Sequence, residues 1–251
     1  MKRLLILLSL LFCNTVCADT INLYWKNYDG TTYQNSTCVI DSDLIIPSTP
    51  PTKYGYTFTG WKMSDYTPIE YLESTGTQYI DTGFKFSNQN NYRVIIKYEY
   101  TNVSAGQSIA GAQPSYYFIP YIRTNGFVSI YHSSLSGALE TPISVNTVYT
   151  LEMTQNSNIF TLNINGTTES KNTSPPSSIY SYFLFATSNR FSAMEYAKIK
   201  MYFVQIYEND ALVRDFIPVL DQDNIPCLFD KVEAKFYYNQ GTGQFIAGPV
   251  L

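Results

Sequence analysis

Histidine, charge and cysteine are all scarce in this sequence. His132 is the single histidine among 251 residues. Any Ser–His or Cys–His nucleophilic site would have to use it, and a zinc site has neither a second histidine nor a Cys-x-x-Cys pair to draw on. It stands in "SIYHSS" at the end of a strand pattern, which reads as a surface histidine among serines. Charged side chains are only 14% of the chain and the formal net charge is −4. A mildly acidic chain is a poor match to nucleic acid or to anionic membranes. No segment after Ala18 carries a 3.6-residue apolar stripe longer than about two turns, and no later apolar run reaches spanning length.

Two of the four cysteines, Cys13 and Cys17, fall in the opening stretch "MKRLLILLSLLFCNTVCADT". Lys2 and Arg3 form a positive start, Leu4 to Phe12 an apolar run, and Val16 and Ala18 the small residues of a cleavage site. This reads as a secretory leader, residues 1–18, cut after Ala18. Its apolar run is too short to cross roughly 30 Å of hydrocarbon. A lipoprotein signal at Cys13 or Cys17 is disfavoured by bulky Phe12 and Val16. The expected product is secreted, periplasmic or held at the cell surface. Loss of Lys2 and Arg3 with the leader makes it more acidic still. Only Cys38 and Cys227 then remain, and an oxidising compartment makes them candidates for a disulfide that closes a very long loop.

What the chain has in excess is tyrosine, 23 residues, within an aromatic content of 16%. That composition favours strands. In "YRVIIKYEY", Tyr92, Val94, Ile96, Tyr98 and Tyr100 share one face, a half-buried strand. Tyr149, Leu151 and Met153 alternate in the same way, as do Phe160, Leu162 and Ile164. The last run leads into Asn165-Gly166, a type I′ turn signal. "KIKMYFVQIY" changes phase between Met201 and Val204, so either both faces are covered or a bulge re-phases it. A Pro-rich stretch ending near residue 64 marks a boundary, and "NTSPPSS" reads as a surface loop. Short strands between Gly, Asn, Ser and Pro clusters predict an all-β, antiparallel sandwich.

Two quoted stretches carry resemblances. Ile21–Trp25, Leu44–Pro47 and the closing "GYTFTGW", with Gly55, Tyr56, Phe58, Gly60 and Trp61, resemble the Listeria–Bacteroides, or internalin-B-type, repeat. This implies a small β-grasp-like module over residues 19–64, of the kind found in secreted and surface proteins. In so small a module Tyr56, Phe58 and Trp61 are expected to serve packing. "IEYLESTGTQYIDTG", "IFTLNINGTT", "KIKMYFVQIYENDALVRDFIPV" and "CLFDKVEAKFYYNQGTGQF" resemble a bacterial and phage branch of the laminin-G-like, concanavalin-A-like jelly rolls. This implies a jelly-roll domain over residues 65–251, with the strand around Tyr79 paired to the last strands near Phe236 and Phe245. Two departures from that pattern are Lys200 and Tyr202 where acidic residues are common, and Cys227 where glycine is.

Glycoside hydrolysis needs two carboxyl groups about 5–9 Å apart. Glu70 and Glu73 have the wrong strand parity for that, and Asp221 and Asp223 sit in loop-like "VLDQDNIPC". Asp221 and Asp223, joined by Asp215 and Asp230, offer oxygen ligands for Ca2+, with a solvated turn as the plainer reading. No other cofactor is expected. The best candidate ligand surface is "PSYYFIPYIRTNGF", where Tyr116, Tyr117, Tyr121, Arg123 and Asn125 combine aromatic faces with amide and guanidinium groups. Ordinary core aromatics are the competing reading. The sequence thus points to an exported, non-enzymatic recognition or adhesion protein whose partner is a glycan, a surface polymer or another surface protein. A structural surface component, or a degenerate glycosidase, are the alternatives.

Overall fold

A computed structural model of the chain describes residues 2–11, 20–26, 32–39, 47–63, 66–104, 106–113, 118–123, 127–133, 135–175, 178–189 and 192–251. For residues 2–11, much of 20–63 and 135–140, the backbone alone is described. Four strands open the chain: β1 Lys2–Leu11, β2 Thr20–Lys26, β3 Thr32–Val39 and β4 Tyr56–Met63. Next come β5 Thr67–Pro68, β6 Leu72–Glu73, β7 Ile80–Asp81, β8 Tyr92–Tyr100, β9 Gln107–Ser108, β10 Ala110–Gly111, β11 Ile119–Ile122, β12 Phe127–His132 and β13 Leu135–Pro142. The chain continues through β14 Val148–Asn156, β15 Ile159–Ile164, β16 Thr167–Asn172, β17 Phe183–Leu184, β18 Thr187–Asn189 and β19 Ser192–Met194. It closes with β20 Ile199–Glu208, β21 Ala211–Leu220, β22 Pro226–Asp230, β23 Lys235–Tyr237 and β24 Ile246–Ala247. There is no helix among the described residues, and hence none long and apolar enough to cross a membrane.

The strands from β5 onward form an antiparallel jelly-roll sandwich. One layer is a long sheet in the order β16-β15-β14-β8-β20-β21-β22-β23, with β5, β6 and β24 attached at its flank. The second layer is pieced from two short sheets, β13-β12-β11-β9 and β10-β17-β7. Backbone bonds from Ile109 N–H to Pro120 O and from Phe185 N–H to Ile109 O stitch them together. The core between the layers holds the inward faces that alternation predicts: Tyr92, Val94, Ile96, Tyr98 and Tyr100 from β8, Tyr149, Leu151 and Met153 from β14, and Phe160, Leu162 and Ile164 from β15. Asn165 and Gly166 take φ 49° and 90°, both left-handed, as a type I′ turn requires.

In β20 the register against β8 jumps between Met201 and Phe203. This bulge puts Ile199 and Met201 in the core before it and Val204 and Ile206 in the core after it. Of the two explanations open for "KIKMYFVQIY", the bulge is therefore the one realised. Phe203 is thereby set opposite Lys97 on the outer face, where Tyr202 also lies.

The phrase "YLESTGTQYIDTG" is scaffold. Gln78 is buried and its Oε1 accepts from Ser74 Oγ (3.1 Å) and Thr75 N–H (2.9 Å), while its Nε2 donates to Gln244 O (3.0 Å). Thr242 N–H and Gln240 N–H donate to the carbonyls of Thr77 and Tyr79. A Cβ on Gly241 would run into the Thr77 carbonyl, so glycine is required there by close approach. The expected pairing of the strand around Tyr79 with the last strands is not formed: near Phe245, β24 pairs with β6 instead, and Thr77 and Tyr79 meet the end of the chain through loop hydrogen bonds. Nor is it formed at Phe236, whose strand β23 pairs with β22. β7 itself pairs with β17.

The first four strands make a separate sheet in the order β3-β2-β1-β4. β1, the stretch read as the leader's apolar run, pairs antiparallel with β2 and parallel with β4. "GYTFTGW" forms the turn and the first six residues of β4, with Gly55 at φ 79°. The side chains of Tyr56 and Trp61 lie outside the described residues. Trp25 is fully buried and its Nε1–H donates to Ser36 Oγ at 2.9 Å.

Candidate functional site

Along β11 and β12 the side chains divide cleanly. Phe118, Ile122, Val128 and Ile130 enter the core. Ile119, Tyr121, Arg123, Phe127, Ser129 and Tyr131 have the opposite parity and point to the outer face of the second layer. The antiparallel register sets Ile119 opposite Tyr131 and Tyr121 opposite Ser129. Tyr121 and Tyr131, diagonal neighbours, therefore meet edge to face with centroids 5.5 Å apart.

These two rings, with Ile119, Gln113 and Glu195, line a recess of about 170 Å3. Three remote segments supply it. Gln113 follows β10, where its backbone N–H donates to Ser188 O (2.9 Å). Glu195 follows the β18–β19 hairpin, and its carbonyl accepts from Ser108 N–H at 2.7 Å. Gly111 lies below: a Cβ there would stand 2.6 Å from Ile119 Cγ1, so only glycine lets the hairpin and β11 close up. Glu195 itself has φ 58°. A left-handed backbone costs a non-glycine residue about 1–2 kcal/mol. Burial raises the Glu195 carboxyl above the usual carboxylate range. Burial and the nearby Glu195 charge also raise the Tyr121 phenol, against which the Arg123 guanidinium acts to lower it. The recess thus combines aromatic faces, one carboxylate and one amide, a set that grips hydroxyls and C–H surfaces.

Of the residues the sequence proposed for ligand binding, Tyr121 is in the recess and Arg123 lies beside it. Tyr116, Tyr117 and Asn125 lie outside the described residues. The competing reading, core aromatics, holds for Phe118 but not for Tyr121, which is half-exposed on the outer face. Tyr131, Gln113 and Glu195 were not among the proposed residues.

The structure corrects the reading of His132. It is fully buried, not at the surface, because β12 places it in step with Val128 and Ile130. Its ring stacks against Phe118 and against Phe160, at 4.6 and 4.5 Å, in one three-ring cluster. Phe118 N–H donates to Nδ1 (3.3 Å), which leaves Nε2–H to donate to Gln155 Oε1 (2.6 Å). Burial lowers its pKa to about 4, opposed by the Gln155 bond. It is a neutral structural histidine.

At "DQDN", Asp221 Oδ1 accepts from the backbone N–H groups of Asp223 and Ile225, each at 2.9 Å, and Oδ2 accepts from Tyr238 Oη. Its oxygens thus serve the turn, and Asp223 is exposed. Asp215 and Asp230 do not join them, contrary to the expectation. They lie at the far end of the β21–β22 hairpin, where Lys231 pairs with Asp215 and Arg214 with Asp230. Cys227 is a buried free thiol packed with Val219 and Phe229, and burial pushes its pKa up to about 12. The side chain of Cys38 lies outside the described residues.

Fold and recess together place the chain among the antiparallel β-sandwiches. No family model matches the chain, and no curated protein matches it in sequence. Among solved structures it is similar to a candidate carbohydrate-binding protein from Bacteroides ovatus ATCC 8483, with a TM-score of 0.51 and 11% identity over 92% of this chain and 68% of that one. At that identity the likeness is one of fold.

Proposed function

We propose that this protein is an exported, non-enzymatic recognition module that binds glycan in the Tyr121–Tyr131–Glu195 recess. The observation that carries this reading is the recess itself: two tyrosine rings, an amide and a carboxylate converge on the outer face of a rigid sheet. A left-handed, partly desolvated glutamate is an arrangement that packing alone does not favour. The candidate carbohydrate-binding protein of like fold adds support. Among the described residues Glu195 is the sole carboxylate lining the recess, where hydrolysis would call for a pair. In this proposal the leader is removed after Ala18, and the small N-terminal sheet acts as a spacer or adhesive surface. Removal of the leader takes β1 from between β2 and β4, so those two strands must then rearrange. N-terminal sequencing of the exported protein checks the cleavage.

The binding test is a glycan array followed by calorimetry, with the mature protein and with Glu195→Gln. Binding that is weakened in the variant is the expected result. Absence of binding to any glycan or cell-wall polymer would favour the purely structural reading, and release of reducing sugar would favour a glycosidase.

A further inference from the structure

We infer that the recess is one end of a longer strip, and that the ligand is a neutral, unbranched glycan chain reaching well beyond a disaccharide. The inference rests on the proposed function of the recess and goes beyond it in ligand length and charge. Tyr121 is opposite Ser108 in the β11–β9 register, and Ser108 is bridged in turn to Tyr196. Directly paired residues point to the same face. Tyr196 thus stands on the face that carries Tyr121, two strand spacings or about 10 Å away.

A second aromatic cluster begins there. Tyr196 meets Tyr79 at 6.1 Å, and Tyr79 stacks on Phe183 at 4.8 Å and 27°. Tyr79 shares the outward parity of exposed Asp81, opposite to buried Gln78 and Ile80, and Phe183 is paired with Asp81. Tyr79 and Tyr196 are both half-exposed. Their setting is rigid: Tyr79 N–H donates to Asn239 Oδ1 (3.2 Å) and Gln240 N–H to Tyr79 O (2.9 Å). Two tyrosine platforms about 10 Å apart on one sheet face suit an extended chain crossing the strands, since a single sugar ring cannot touch both. Asp81 flanks the second platform and Glu195 the first, where Arg123 also lies beside Tyr121. Two carboxylates along the strip oppose uronic acids and sulfated sugars, whereas hydroxyl-rich neutral chains accept both.

The experiment uses the mature protein and ladders of cello-, manno- and chito-oligosaccharides from monosaccharide to hexasaccharide, with oligogalacturonides as the acidic arm. Affinity for at least one neutral ladder should keep rising past the disaccharide. Tyr196→Ala should remove that rise, lowering affinity for the longest members about tenfold and leaving the shortest unchanged. Unaltered melting shows that the variant folds. Should it not, Tyr79→Ser tests the same platform from another strand. Affinity that is flat beyond one or two sugars overturns the extended strip and leaves the recess standing. Preference for the acidic ladder overturns the charge assignment. Binding to none of the ladders while the glycan array is positive refutes the neutral linear class, and a blank array removes the recess as well.

Discussion

The outer faces of the two layers are both rich in tyrosine and both contain a partly buried glutamate, yet they do opposite things with them. On the long sheet, Glu99 is 7% exposed and accepts from Lys200 Nζ (2.8 Å) and Tyr202 Oη (2.9 Å). Lys200 lies over the Tyr71 ring, Tyr71 meets Tyr202 edge to face, and Lys97 covers the other ring. The groups of that face satisfy one another. On the second layer, Glu195 and its tyrosines converge on a recess instead. Similar chemistry is architecture in one place and a candidate site in the other, and the difference is whether the polar groups close on themselves.

If that contrast is right, substitutions on the two faces should move different observables. Glu99→Ala leaves Lys200 beside a vacated, largely buried position and should cost about 3–4 kcal/mol in urea unfolding, at the lower end for a buried pair because Lys200 keeps some solvent. Glycan affinity should not change. Between the layers, acid acts through His132. Its folded pKa of about 4 lies below the ordinary value of 6.5, so the unfolded chain takes up the proton first. Stability should be unaffected by this group above pH 6.5 and fall by about 2–3 kcal/mol as pH drops towards 4. His132→Gln should flatten that part of the pH–stability curve, whatever it does to the total.

On the recess side, Tyr121→Ala should weaken glycan binding by about 1–3 kcal/mol with little change in melting temperature. If it unfolds the protein instead, Tyr121 belongs to the scaffold and the contrast collapses. Glu195→Gly sharpens the point, because glycine relieves the left-handed backbone. It should raise stability by about 1 kcal/mol while lowering affinity, a combination that an architectural residue would not give. The smallest expected effect is at Cys227. Its buried thiol should resist iodoacetamide in the folded protein and react once unfolded. Intact mass of the non-reduced protein checks the disulfide to Cys38 that the sequence suggested, against which the free thiol of Cys227 speaks.

The long sheet was legible because its strands are long enough to show a phase. All five inward positions of β8 from Tyr92 to Tyr100 are apolar or aromatic, and the irregularity of β20 was readable as either a bulge or a strand covered on both faces. The second layer was not, because its strands, β13 apart, run two to six residues and their inner and outer positions depend on partners far away. His132 illustrates this: serine neighbours suggested solvent, but the parity of Val128 and Ile130 decided. Tyr121 was found through the Pro120 and Gly126 punctuation around it. Tyr131 sat in the quoted "SIYHSS", and pairing Ile119 with Tyr131 would have revealed it, yet nothing local fixes that register. Glu195 gave no signal at all. Its unusual φ and its place beside the recess come from the hairpin before it and from Ser108, some ninety positions earlier.

The tie between β6 and β24 also sets how the sandwich bears a load. Ile69 is bridged antiparallel to Val250, and Leu251 N–H donates to Pro68 O, so the sandwich starts and finishes side by side. Tension applied across those two ends runs perpendicular to the adjoining strands and opens their hydrogen bonds one after another, like a zip. Tension between a glycan bound as proposed and the N-terminal side takes another route, entering through the second layer and leaving by β5, which β21 and the chain's last residues both hold. A molecule tethered by its N-terminal side alone would not load those two ends against each other.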